Sequence, residues 1–71
     1  MASKVCSEVA GTVWQLIATA GSRVEEGETV MLIESMKMEI PVVAPRAGTL
    51  ASILLVKGDR VDEGQTVAFL D

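Results

Sequence analysis

Short runs of β-branched and aliphatic residues, each bounded by glycine, set the rhythm of the chain. Thr12-Val13-Trp14-Gln15-Leu16-Ile17 and Thr29-Val30-Met31-Leu32-Ile33 are of this kind, and such runs between turn formers predict strands. The intervals between them are too short for helices. Gly21, Gly27, Gly58 and Gly64 stand where tight turns ask for a positive φ. Residues 12–19 are apolar enough to suit a helix as well, but no segment offers a sustained helical stripe. The pattern predicts an all-β chain of two small antiparallel sheets packed face to face.

The runs occur twice. Sliding the chain over itself by 37 residues aligns 10–34 with 47–71 without a gap, and ten of the 25 positions are identical. Ala10-Gly11-Thr12 meets Ala47-Gly48-Thr49, Gly21-Ser22-Arg23-Val24 meets Gly58-Asp59-Arg60-Val61, and Glu26-Gly27-Glu28-Thr29-Val30 meets Glu63-Gly64-Gln65-Thr66-Val67. Two copies are too few for a solenoid, so the halves are expected to close on each other as one pseudo-two-fold domain over residues 1–71. Val30 and Leu32 answer to Val67 and Phe69, and Val13 and Leu16 to Leu50 and Ile53; these are the expected core. Trp14 has only Ala51 as its counterpart and is expected to be a partly buried packing residue.

Between the repeats lies Ser35-Met36-Lys37-Met38-Glu39-Ile40. Strand residues up to Glu34 and again from Met38 to Val43 predict a hairpin with Met36 and Lys37 near its tip. Two-residue hairpin loops ordinarily call for Gly or Asn, so something other than turn chemistry selects Met and Lys. A solvated lysine between two packing methionines is the plain alternative. Shifted by the repeat length, Lys37 falls just beyond either end of the chain. The pseudo-two-fold mate of the hairpin is then where the termini meet, and Met1 and Asp71 are expected at the far end.

Composition narrows the chemistry. At 71 residues a chain buries only about 60% of the surface that it exposes when unfolded. A net charge of −4 and a scatter of six Lys and Arg give no footprint for phosphate backbones or anionic lipid. No apolar run approaches the length of a membrane span. There is no His, which removes the commonest general base and metal ligand and weighs against a self-contained enzyme. The single Cys6 is expected to be a small buried apolar residue. Together these predict a cytosolic protein or domain that binds neither nucleic acid nor membrane and holds no metal.

Glu34-Ser35-Met36-Lys37-Met38-Glu39 resembles the attachment motif of biotinyl domains, written Ala-Met-Lys-Met, with Ser35 in place of Ala. Ala44-Pro45-Arg46-Ala47-Gly48 resembles the Ala-Pro-x-x-Gly segment of that family. Both Gly-Asp-x-Val-x-x-Gly turns have counterparts, at 21–27 and 58–64. Ser7-Glu8 stands where the first half of the family often has Ala-Pro. The likeness covers nearly the whole chain and is greatest to the small biotin/lipoyl attachment proteins. It implies a flattened barrel of two four-stranded antiparallel sheets with the target lysine on an exposed hairpin. It also implies biotin joined covalently to Lys37, flanked by Met36 and Met38, with Glu34, Ser35 and Glu39 in ligase recognition.

The implied partners are a biotin protein ligase, a biotin carboxylase and a carboxyltransferase, between which such a domain carries carboxybiotin while acting as a monomer. The amine of a solvated lysine is a weak nucleophile unless a partner activates it. Lys37 is therefore an attachment point that another enzyme activates, and the domain is a carrier without catalysis of its own. One rival is a lipoyl domain, which shares the fold but carries Asp-Lys-Ala at the tip. The other is an unmodified barrel-sandwich module with a structural role.

Overall fold

The computed structural model describes residues 3–71. Eight strands follow one another, with no helix among the described residues: β1 (Ser3–Cys6), β2 (Gly11–Leu16), β3 (Arg23–Val24), β4 (Thr29–Ser35), β5 (Met38–Val43), β6 (Gly48–Ile53), β7 (Arg60–Val61) and β8 (Thr66–Leu70). They form two four-stranded sheets with neighbours in the order β1-β8-β6-β3 and β5-β4-β2-β7, every pairing antiparallel. The all-β expectation of two four-stranded sheets holds, and the ambiguous stretch 12–19 is strand as far as Leu16.

The sequence repeat is a repeat of pairing. Adding 37 to one partner and subtracting it from the other turns Ser3↔Leu70 into Ile40↔Ile33, Lys4↔Phe69 into Pro41↔Leu32, and Gly11↔Val61 into Gly48↔Val24. The turn hydrogen bonds obey the same rule: Ser7 N–H donates to the Gln65 carbonyl as Ala44 N–H does to that of Glu28. The operation exchanges the two sheets, so each sheet is built from both halves of the chain. It also reaches β1 and β5, where only Val5 and Val42 are identical.

The core confirms Val13, Val30, Leu50 and Val67, all buried. Leu16 and Ile53 are half-buried against it. Leu32 and Phe69 are corrected: both are only half-buried, while Met31, Ile33, Ala68 and Leu70 fill the centre. The cause is a set of β-bulges. Register shifts between Thr29 and Met31, between Val13 and Gln15, and between their mates at Val5/Cys6 and Leu50/Ser52. One extra residue exchanges the inner and outer faces of a strand, so strict alternation from Val30 or Val67 points to the wrong neighbours. Trp14 is the residue passed over between Val13↔Ile33 and Gln15↔Leu32, and it is 39% exposed.

Cys6 is likewise corrected: it is exposed, with Sγ 3.7 Å from Thr66 Oγ1. The inward place beside Val5 on β1 leaves Cys6 facing out, and the next buried side chain is Ser7. Ser7 Oγ donates to the Val9 carbonyl at 2.6 Å and accepts from Val9 N–H at 3.3 Å. Its burial costs little because the hydroxyl is satisfied locally. Ser7-Glu8 thus keeps the backbone pairing of the Ala44-Pro45 turn while adding a side-chain brace.

The edges of the sheets are guarded in matching ways. β1 and β5 are outer strands related by the two-fold, and Lys4 and Pro41 occupy equivalent positions. A charge on one edge and a missing N–H on the other both discourage strand addition.

Candidate functional site

β4 and β5 pair through Thr29↔Val43, Met31↔Val42, Leu32↔Pro41, Ile33↔Ile40, Glu34↔Glu39 and Ser35↔Met38. The last pair leaves two residues to turn the chain, Met36 at φ 53° and Lys37 at φ 65°. Positive φ at both central positions is what a hairpin of this length needs to match the twist of its strands. For residues with a Cβ, the left-handed region costs roughly 1–2 kcal/mol each. Asn-Gly would form this turn with far less strain, so the local sequence opposes the conformation that the register imposes.

The strained turn projects from the body. Met36 is 92% exposed and Met38 63%. Lys37 between them is exposed, as are Glu34 and Glu39, and Ser35 is half-buried. The expected site residues are therefore brought together on one hairpin tip, and the core has no use for the two methionines. Glu34 pairs with Glu39 on one side and with Thr12 on the other, and Thr12 pairs with Arg60. Directly opposed residues share a face, which makes Glu39, Glu34, Thr12 and Arg60 one transverse row beneath the tip.

Thr12↔Glu34 is the last rung that ties the hairpin to β2. Beyond it, Ser35↔Met38 and the turn stand as a free two-stranded ribbon. The row through Thr12 and Arg60 was not foreseen from the sequence, because it depends on the strand order across both halves. Gly11, adjoining the same rung, signalled itself only by recurring as Gly48 at the start of a strand, where glycine is otherwise unfavourable.

The far end is built differently. Arg46 Nε donates to Ser3 Oγ at 2.8 Å, and its Nη1 and Nη2 donate to the carbonyls of Ala47, Asp71 and Leu70. β5, running from the hairpin toward Arg46, places Val43 about 17 Å from Met38 at strand rise, in a body 33 Å long. Asp71 therefore lies at the opposite end from Lys37, as the repeat implied; Met1, the other terminus named in that expectation, is outside the described residues.

A sequence model described as "Biotin-requiring enzyme" (Biotin_lipoyl) matches residues 1–70. Among curated relatives, the "Biotin/lipoyl attachment protein" of Bacillus subtilis is 48% identical over 42 residues, 59% of this chain and 58% of that protein. The "Biotinylated protein TB7.3" of Mycobacterium bovis is 43% identical over 44 residues, 62% of each chain. The matched stretch thus spans about six-tenths of these relatives. Among solved structures, the Kluyveromyces lactis urea carboxylase superposes with a TM-score of 0.95 at 38% identity, over 100% of this chain and 6% of that one. A single-chain, multi-domain long-chain acyl-CoA carboxylase superposes at 0.88 and 26% identity, over 96% and 7%.

Proposed function

The chain belongs to the biotin-requiring enzyme (Biotin_lipoyl) family, and we propose that residues 1–71 form one biotinyl domain in which Lys37 Nζ receives biotin as an amide. The observation that carries this reading is the exposed lysine held in a left-handed two-residue turn between two exposed methionines. A group attached through an amide bond needs an accessible amine and no cavity, and the hairpin tip supplies that. A biotin protein ligase activates the acyl group, because a free carboxylate does not condense unaided with an amine in water.

Biotin, when bound, supplies a ring that takes up a carboxyl group at one site and gives it up at another. The work of this chain is to hold the arm on a stiff scaffold and raise its effective concentration at both sites. The domain is a non-catalytic carrier between a biotin carboxylase and a carboxyltransferase. Met36 and Met38 offer flexible apolar contact that can repack against more than one partner. Glu34 and Glu39 oppose each other on one rung, an arrangement that costs stability, and recognition by the ligase is the role that offsets this cost. Ser35 is small enough to pack half-buried in the last rung.

The test is mass spectrometry after incubation with biotin, ATP and a biotin protein ligase. The wild type gains one biotinyl group and Lys37→Arg gains none. A lipoyl adduct on Lys37 after expression would overturn the reading, as would biotin on another lysine.

A further inference from the structure

Gly11 opens β2 beside the root of the hairpin. A Cβ at this position would run into the backbone carbonyl oxygen of Glu34 and come within 2.9 Å of Ile33 Cγ2. The carbonyl belongs to the residue that pairs with Thr12 and Glu39 at the last rung joining the hairpin to the sheet. Above that rung the ribbon has no further strand beside it, so any displacement of Glu34 is passed to the tip.

Resting on the carrier reading above, we propose that Gly11 is a positioning residue for biotinylation: its missing side chain lets β2 seat against Glu34 and fixes the direction in which Lys37 is offered. Glu34 and the tip are about 7 Å apart at strand rise. A methyl group at 11 demands a shift on the order of 1 Å at the root, and misplacement of that size at a reacting group costs up to about a hundredfold in rate.

The two-fold supplies an internal control. Gly48 stands in the same relation to the other chain end: a Cβ there would meet the Asp71 carbonyl oxygen at 2.6 Å and Arg46 Nη1 at 2.8 Å. Gly48 and Asp71 lie at the end of the body opposite Lys37, so a shift there does not bear on the lysine hairpin. A merely structural role for these glycines would act at both ends, whereas a positioning role acts on Lys37 through Gly11 alone.

The experiment compares wild type, Gly11→Ala and Gly48→Ala as substrates of a biotin protein ligase, with initial rates read by mass spectrometry against substrate concentration. Acetylation of Lys37 by a small acylating reagent is measured in parallel. Gly11→Ala is expected to lose about ten- to a hundredfold in kcat/KM while its Lys37 acetylates at the wild-type rate. Gly48→Ala should stay within about twofold of wild type in both assays. Ligase rates for Gly11→Ala equal to wild type, or equal losses in both variants, overturn the proposal. So does a Gly11→Ala chain that fails to fold while Gly48→Ala folds, since Gly11 is then needed for folding itself. A wild-type chain that the ligase leaves unmodified overturns the carrier reading and this inference together, so the two failures are distinguishable.

Discussion

Glu34 and Glu39 face each other across a single rung of the β4·β5 ladder, two carboxylates on the same outer face, three residues before and two after the corner lysine Lys37. Like charges so placed repel, and the remaining charge of the row, Arg60, is separated from Glu34 by Thr12. Glu39→Lys converts the repulsion into an attractive cross-strand pair. It is expected to stabilise the domain by about a few tenths of a kcal/mol, seen as a raised urea midpoint, and to slow biotinylation. A variant that is both more stable and equally well biotinylated would remove Glu39 from ligase recognition.

The turn itself sets stability against use. Lys37→Gly relieves left-handed strain and should raise unfolding free energy by about 1 kcal/mol, while abolishing biotin incorporation. Met36→Asn should stabilise in the same direction by a smaller amount, since Asn tolerates positive φ. Urea unfolding of the unmodified proteins checks both, and neither gain is expected if the turn relaxes out of the left-handed region.

At the far end, Arg46→Ala removes the donors that hold Ser3 Oγ and the carbonyls of Leu70 and Asp71. Part of this network is open to water, so the expected loss is about 1–2 kcal/mol. Biotinylation of the folded fraction should be unchanged, because β5 separates this clasp from Lys37.

Two methionines on the same strand-and-turn unit should behave oppositely. Met31 has no exposed surface, and Met36 is almost wholly exposed. Met31→Ala is expected to cost about 2–5 kcal/mol, enough to unfold much of so small a domain near physiological temperature. Met36→Leu should shift the melting temperature hardly at all, and any loss should appear in ligase KM.

What the sequence could show was whatever depends on spacing. The 37-residue offset placed the hairpin, paired Gly27 with Gly64 and put Asp71 opposite Lys37, because a two-fold arrangement of strands preserves sequence offsets. The attachment motif made Lys37 stand out, and the absence of Gly or Asn from the turn already pointed to a selection other than folding. Burial of Met31 in place of Leu32 was hidden, since a bulge is a choice of register made by both strands and leaves no mark in either alone. The same is true of Trp14, whose outward place follows from the ladder skipping it. Cys6 faces solvent because Val5 takes the inward place on a four-residue strand. The contact between Gly11 and Glu34 joins distant parts of the chain, so only the repeated glycine hinted at it.

Because Ser3 pairs with Leu70 and Gly11 with Val61, neither sheet can be completed from the first half of the chain. Folding must wait for ordering over nearly the full sequence, which places the domain among slow folders for its size, on the millisecond-to-second scale. During synthesis the ribosome has to pass Leu70 out of its tunnel before β1 has a neighbour, whereas the lysine corner has long since emerged. A ligase that reads the folded hairpin therefore acts only after β8 has emerged, and the topology itself orders modification after the synthesis of Leu70.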